Sequence, residues 1–145
     1  MIRIIEKSDR EAYLALTEAF YKTPAVDHEI PEENRIRTFE YLMTRPSDAE
    51  CVMIECDGEC AGYALFAKTF SQEAGGVAVW FEEIYIKEEF RGKGLGHEVF
   101  EFAEKHFPEA RRFRLEVEDE NVGAVKLYKS LGFDYLPYKQ MIKDK

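Results

Sequence analysis

A strand that leads into a glycine-rich turn and then into a helix is the feature that most constrains the fold of this chain. Residues 81–86 are mostly apolar but carry two adjacent carboxylates, Glu82 and Glu83, and glycines follow at 92, 94 and 96. Such a turn has little side-chain bulk, so its amide N–H groups can surround a phosphate at the positive end of the helix dipole. The guanidinium of Arg91 can add paired hydrogen bonds to the same anion. The segment therefore predicts an anion site beside two carboxylates.

The spacing of the three glycines limits what the turn can bind. It does not match the G-x-G-x-x-G dinucleotide fingerprint, and the chain has no G-x-x-x-x-G-K-[ST] nucleotide loop. Taken alone, the turn could also be a tight strand-to-helix connection that binds nothing. A second motif is needed to distinguish these readings.

That second motif begins at Asn121, which is a favourable N-cap. Apolar residues at 122, 125, 128 and 131 form one helical face, and Gly132 is placed to end the helix. By itself this is the pattern of an amphipathic helix with a core tyrosine. Together, R-x-x-G-x-G after a strand with two glutamates and N-x-x-A-x-x-L-Y-x-x-x-G-F further along resemble the GNAT superfamily of acyl-coenzyme A-dependent N-acetyltransferases. The resemblance is at the level of motifs over residues 80–133 and of architecture over nearly the whole chain.

The hydrophobic periodicity predicts an α+β domain with a mixed, mostly antiparallel sheet flanked by helices. We expect strands at 2–6, 49–56, 60–70, 77–86 and 113–117, and a last strand around 138–143. We expect helices from a capping box at Ser8 and Glu11, from Pro31 to Met43, after the glycine turn to His106, and from Asn121. Asp57 and Gly58 predict a type I′ hairpin. The order β-α-α-β-β-β-α-β-α-β is that of a GNAT domain.

Composition and charge exclude several other classes. With 145 residues, of which 46% are hydrophobic, the chain can form one domain over 1–145 with a full core. A formal net charge of −9 argues against nonspecific binding to nucleic acid or to an anionic membrane. The first apolar run is broken by charges, and no run approaches the roughly 20 apolar residues of a membrane span, so we expect a cytoplasmic protein.

The cysteines and histidines predict no metal site. Cys51, Cys56 and Cys60 are odd in number and have no histidine nearby, which disfavours a disulfide framework or a zinc site. Cys51 and Cys56 lie five residues apart in a strand and point to opposite faces. All three are interpreted as reduced packing residues, and the three histidines are too scattered to predict a metal cluster.

The resemblance implies that acetyl-coenzyme A is the co-substrate and that no metal is needed. The strand before the glycine turn and the next parallel strand would splay apart, so that pantetheine pairs with exposed backbone, the turn wraps the pyrophosphate, and an amide near Ile84 polarises the thioester carbonyl. The positions assigned to the cofactor are Ile84, Tyr85, Ile86, Arg91, Gly92, Lys93, Gly94, Leu95, Gly96, Asn121, Ala124 and Tyr128.

The resemblance also suggests the catalytic groups. Tyr128 is the candidate general acid for the leaving thiolate, since a phenol carries its proton at neutral pH. Strand alternation places Glu82 on the face of Ile84 and Ile86, which favours a partly buried general base. Glu83 would then bind the ammonium of the substrate. A β-bulge in this strand would exchange the two assignments.

The acceptor is predicted to be a primary amine on a small cationic molecule. Residues 80–86 resemble the acidic strand of diamine and polyamine acetyltransferases, and the connection that forms the acceptor mouth in the family here carries Asp27, His28 and Glu29. An acidic mouth attracts cations, although acidic surfaces also serve solubility. The alternatives are acetylation of a protein lysine or N-terminus, and a non-catalytic acyl-coenzyme A-binding regulatory module. A homodimer is an expectation of the resemblance alone.

Overall fold

The computed structural model describes residues 1–26 and 28–145. In this part of the chain five strands form one sheet in the order β1-β2-β3-β4-β5. They are β1 (Ile2–Ile4), β2 (Ala49–Cys56), β3 (Glu59–Ser71), β4 (Gly76–Ile86) and β5 (Ala110–Leu115). The first four strands pair antiparallel, and β5 pairs parallel with β4. The predicted α+β fold with a mixed, mostly antiparallel sheet is confirmed.

Helices cover both faces of the sheet. They are α1 (Arg10–Phe20), α2 (Glu32–Met43), α3 (Leu95–His106) and α4 (Val122–Ser130), with short 3₁₀ turns at Lys7–Asp9 and Glu88–Phe90. No helix of residues 1–26 and 28–145 combines the length and the apolar character that crossing a membrane requires.

Two hydrophobic clusters fill the spaces between the sheet and the helices, because strand side chains alternate between the two faces. The first cluster lies between the sheet and α3 and includes Phe66, Phe81 and Val99. The second lies between the sheet and the helices α1 and α2, and includes Tyr13, Tyr63 and other buried residues. These two clusters are called the α3 cluster and the α1 cluster below.

The alternation of strand side chains also explains which face of the sheet each cysteine occupies. Cys51 belongs to the α1 cluster, whereas Cys56 packs against the α3 cluster, as their spacing predicts. All three cysteines are free thiols. The hairpin between β2 and β3 has positive φ at both Asp57 (52°) and Gly58 (78°), which is the type I′ geometry that these residues predict.

Three predicted features differ in the structure. The strand expected at 113–117 lies earlier, at Ala110–Leu115. The first helix begins at Arg10. The amide of Glu6 donates a hydrogen bond to the carboxylate of Asp9 at 2.8 Å, so the predicted capping box at Ser8 and Glu11 is wrong. Asp9 is held there because Arg3 binds both of its oxygens.

The predicted final strand around 138–143 is also wrong, and the element order ends with α4. Residues 133–145 form neither a helix nor a strand. The apolar side chains near the end of this segment are open to solvent, since Met141 is 96% exposed and Ile142 is 82% exposed. Without a neighbouring strand or a buried face, β-propensity alone does not form a strand.

The end of β4 is fixed by a close backbone approach at Gly62 in β3. A Cβ atom at this position would lie 2.0 Å from the carbonyl oxygen of Tyr85, so any other residue would push the two strands apart. Gly62 pairs with Ile86, the last residue of β4. The site described below therefore depends on a glycine in a neighbouring strand.

We expect Gly62→Ala to lower the free energy of unfolding by about 2 kcal/mol or more, because the added methyl group meets rigid backbone. Urea unfolding measures this change. Gly123→Ala in α4 is the matched control, since its Cβ would meet nothing within 4 Å. The control should raise stability by about 0.5 kcal/mol or leave it unchanged. Equal stability of the two variants would contradict the steric argument.

Candidate functional site

A cleft opens where β4 and β5 separate. Their parallel pairing runs from Val77 with Ala110 to Phe81 with Leu115 and stops there, while β4 continues to Ile86. The cleft has a volume of about 940 Å³. Beyond Phe81 the side of β4 that faced β5 has no strand partner in the described chain. A strand edge of this kind presents free N–H and C=O groups to a ligand.

A β-bulge sits at the point of divergence. Phe81 pairs with Phe66 and Glu83 pairs with Leu65, so Glu82 has no partner in β3. Both Phe81 and Ile84 pack in the α3 cluster although they are three residues apart, which shows that the bulge interrupts the alternation. The prediction that Glu82 shares a face with Ile84 assumed a regular strand and is corrected by this bulge.

The carboxylate of Glu83 is fixed by two tyrosines. The hydroxyl of Tyr63 donates to its Oε1 atom at 2.8 Å, and the hydroxyl of Tyr21 donates to its Oε2 atom. Burial raises the pKa of Glu83, and the two hydrogen bonds oppose that rise. Among residues 1–26 and 28–145, no basic side chain forms an ion pair with it. Both oxygens of Glu83 thus accept hydrogen bonds from neutral donors.

Glu82 lies in the same cleft with less contact to the protein. Partial removal from water raises its pKa, and the negative charges of Glu116 and Glu83 raise it further. Glu116 and Glu118 line the cleft as well. Arg112, Arg114 and Lys129 also line the cleft, against six acidic residues, so the balance of charge on its wall is negative. A carboxyl group with a raised pKa is suited to accept a proton near neutral pH.

Tyr128 of α4 is half-buried on the cleft wall. Its ring lies 5.7 Å from that of Phe100 and 6.2 Å from that of Phe133, measured between centroids. Burial raises the pKa of Tyr128, so its hydroxyl keeps its proton at neutral pH. That hydroxyl bonds to no other group of the described residues. It is free to donate to a ligand.

The glycine turn presents a row of free amides. Gly92 and Gly94 have φ of 75° and 82°, which reverses the chain and begins α3. From Gly92 to His97 the backbone N–H groups bond to nothing in the described chain. The side chain of Leu95 is buried, so only its backbone faces the turn.

Several contacts join the turn and α4 to the rest of the site. The Nε atom of Arg91 donates to the carbonyl oxygen of Ile86 at 2.9 Å, which ties the turn to the end of β4. A Cβ atom at Gly96 would lie 3.4 Å from Leu127, so α3 and α4 approach closely. The Oδ1 atom of Asn121 accepts from the amide of Ala124 at 3.3 Å, which confirms the predicted N-cap.

The structure brings only some of the predicted site residues into the cleft. Glu82, Glu83, Ile84, Asn121, Tyr128 and His28 line it. Glu29 is exposed and does not line it, and Asp27 lies outside the described residues. Tyr85 packs against the α1 cluster and Ile86 against the α3 cluster, and neither lines the cleft.

Sequence reasoning missed four residues of the site. Tyr21 and Tyr63 lie 62 and 20 residues from the carboxylate they bind, and no local pattern joins them to it. Glu116 and Glu118 could have been found, because they continue the alternation of Arg112 and Arg114 beyond the end of β5. Within the described residues no group of three or more His, Cys, Asp or Glu side chains is arranged to bind a metal.

Comparison with known proteins identifies the family of this chain. The model of the acetyltransferase (GNAT) family matches residues 11–133. A spermine/spermidine N(1)-acetyltransferase of Bacillus subtilis (strain 168) is 26% identical over 84 residues, which are 54% of this chain and 55% of that protein. A thialysine N-epsilon-acetyltransferase of Sus scrofa is 40% identical over 81 residues, which are 54% of this chain and 47% of that protein. The chain thus spans about half the length of these relatives.

Solved structures extend the likeness to the whole chain. An aminoglycoside N-acetyltransferase in complex with coenzyme A superposes with a TM-score of 0.79, over 100% of this chain and 94% of that one. The two sequences are 16% identical, so this likeness shows a common fold.

The raised pKa of Glu83 predicts a pH-dependent stability. In the native state Glu83 binds its proton more tightly than in the unfolded chain, so stability falls as pH rises from its ordinary pKa of 4.5 through the raised value. We expect Glu83→Gln to remove this fall, as measured by urea unfolding across the acidic range. Glu40→Gln, at an exposed position of α2, is the control and should keep the wild-type profile. Parallel profiles of wild type and Glu83→Gln would contradict the assignment.

Proposed function

Because the chain belongs to the acetyltransferase (GNAT) family, we propose that it transfers an acetyl group from acetyl-coenzyme A to a primary amine on a small cationic molecule. The observation that carries this proposal is the end of strand pairing at Phe81 and Leu115, beside the free amides of residues 92–97. An open strand edge can pair with the amides of pantetheine. A row of N–H groups at a helix N-terminus can bind its pyrophosphate.

The proposed cofactor contacts follow the order of these elements. The backbone of Ile84 and Ile86 would pair with pantetheine, and the turn from Arg91 to Gly96 would bind the pyrophosphate. The Nε atom of Arg91 is engaged by β4, which leaves its two Nη groups for phosphate oxygens. Asn121 would contact the pantetheine arm near Ala124, with its Nδ2 group as the donor.

The proposed chemistry needs three proton transfers. Glu83 would bind the acceptor as its ammonium, and Glu82 would accept one proton from it, directly or through water, which leaves a neutral amine. The bulge would exchange these two roles, but both oxygens of Glu83 are engaged by tyrosine hydroxyls, so we keep Glu82, whose pKa is raised, as the base. The amine nitrogen then attacks the thioester carbonyl carbon, the C–S bond breaks, and an amide and a thiolate form while the second proton of the nitrogen passes to water. Tyr128 would give its proton to the thiolate and regain one from water. Most of the rate would come from holding the two substrates together.

The acidic cleft supports a cationic acceptor. Six acidic residues line it, including Glu82 and Glu83, against the three basic residues Arg112, Arg114 and Lys129, so the balance of charge is negative and attracts cations. The relatives named above act on spermine or spermidine and on thialysine, which are amines. We therefore propose that the acceptor of this chain is a small cationic amine, with a protein lysine or N-terminus as the alternative.

A thiol-release assay over a panel of amines tests the proposal, beside a calorimetric titration with acetyl-coenzyme A. Turnover with small polyamines or lysine analogues is the expected result. Turnover with peptides only would favour the protein substrate. Binding of acetyl-coenzyme A without turnover on any amine would instead indicate a regulatory module.

We expect Tyr128→Phe to lower kcat about 100-fold or more, because the thiolate loses its proton donor. Affinity for acetyl-coenzyme A should stay nearly unchanged, since the ring keeps its contacts with Phe100 and Phe133. Thiol release gives kcat and calorimetry gives Kd. Tyr135→Phe, at an exposed tyrosine of the same cleft, is the control and should keep full activity. Unchanged turnover in Tyr128→Phe would refute the role.

We expect Gly94→Trp to weaken the binding of acetyl-coenzyme A about 100-fold or more, since several amide–phosphate hydrogen bonds are lost. The indole would fill the open space over the turn, where a Cβ atom meets nothing within 4 Å. Gly58→Trp is a matched control, with φ of 78° against 82° and equally open surroundings in the β2–β3 hairpin. Calorimetry should give wild-type affinity for the control. Equal affinities of the two variants would remove the turn from the binding site.

A further inference from the structure

The two tyrosines that bind Glu83 come from separate parts of the fold. Tyr21 directly follows α1, at the start of the connection that leads to α2, whereas Tyr63 lies in the middle of β3. Each hydroxyl donates to a different oxygen of the carboxylate. A carboxylate with both oxygens bonded from two directions cannot rotate without breaking a hydrogen bond.

Packing fixes the tyrosines themselves. Tyr63 is fully buried, and its ring centroid lies 5.8 Å from that of Tyr13 and 6.3 Å from that of Phe20. Phe20 in turn lies 5.2 Å from Tyr21, in an edge-to-face arrangement. Aromatic side chains in such contacts have few alternative rotamers. The hydroxyl positions are therefore set by the core and not by the ligand.

The groups that face Glu83 supply no positive charge. They are Tyr13 from α1, Tyr21 just after α1, Tyr63 from β3, the thiol of Cys51 from β2, and Glu82 from its own strand. The tyrosines and the thiol are neutral at physiological pH, and Glu82 is acidic. A buried carboxylate without a counter-ion is costly. Glu83 lines the open cleft, so a cation from solution can reach it.

We infer that Tyr21 and Tyr63 are positioning residues that hold the carboxylate of Glu83 in one orientation toward the cleft, where the ammonium of the acceptor is its counter-ion. This inference rests on the proposed function. Neither tyrosine touches the reacting atoms. Their effect is to present a fixed anion, so that the ammonium binds without the cost of ordering a mobile side chain.

The kinetic test uses Tyr21→Phe, Tyr63→Phe and the double variant. Each substitution keeps the ring and removes one donor. We expect KM for the amine to rise about tenfold per hydroxyl removed, with a smaller change in kcat, because binding of the ground state is lost. The acid limb of the kcat/KM profile should move to higher pH, since each hydrogen bond stabilises the ionised carboxylate.

Tyr13→Phe is the matched control. Tyr13 belongs to the same aromatic cluster and is buried, but its hydroxyl bonds to no group of the described residues. It should keep the wild-type KM and pH profile. An equal rise of KM in Tyr13→Phe and Tyr63→Phe would show that packing alone is responsible and would overturn the inference.

A measurement without turnover separates this inference from the proposed function. The titration of Glu83 can be followed by ¹³C NMR of the side-chain carboxyl in the free protein, with Glu83→Gln to assign the signal. We expect the midpoint to move to higher pH in Tyr21→Phe and Tyr63→Phe and to stay in place in Tyr13→Phe. An unmoved midpoint in both variants overturns the positioning role. A moved midpoint supports it, and if the wild type then acetylates no amine of the panel, the proposed function alone fails.

Discussion

The end of the parallel pairing between β4 and β5 is the constraint on which the rest of the site depends. At Phe81 and Leu115 the hydrogen bonds stop, although β4 continues for five more residues to Ile86. Backbone groups left unpaired away from water cost free energy comparable to a lost hydrogen bond. A ligand with its own amide groups removes that cost by binding along the edge. The free strand edge therefore suits an amide-containing chain before any side chain is considered, in agreement with the proposed site for pantetheine.

Aromatic packing holds this divergence in place. The ring of Phe81 lies 4.4 Å from Phe100 of α3, 5.2 Å from Phe66 of β3 and 6.3 Å from Phe133 after α4. The residue at which the strands part is therefore at the centre of contacts from three elements. Tyr128 packs on Phe100 as well. The candidate acid and the point of divergence share one rigid support, so their relative position is a property of the core.

Features set by local rules could be predicted from the sequence, and features set by tertiary contacts could not. The cap at Asn121 and the hairpin at Gly58 follow from the conformations of a few neighbouring residues. The bulge at Glu82 and the hydroxyl of Tyr63 on Glu83 arise between strands, where periodicity carries no information. The missing last strand has the same cause, because a strand needs a partner as well as propensity.

The choice of donors at Glu83 explains why the cleft can keep its charge. A lysine or arginine in place of Tyr21 and Tyr63 would also satisfy the buried carboxylate, and would stabilise it more strongly. It would, however, neutralise the anion that the proposed acceptor has to meet. Two phenols orient the carboxylate and leave its net charge unchanged. The cost is a native state with a poorly compensated anion, which is the kind of local instability that functional sites retain when a ligand supplies the missing charge.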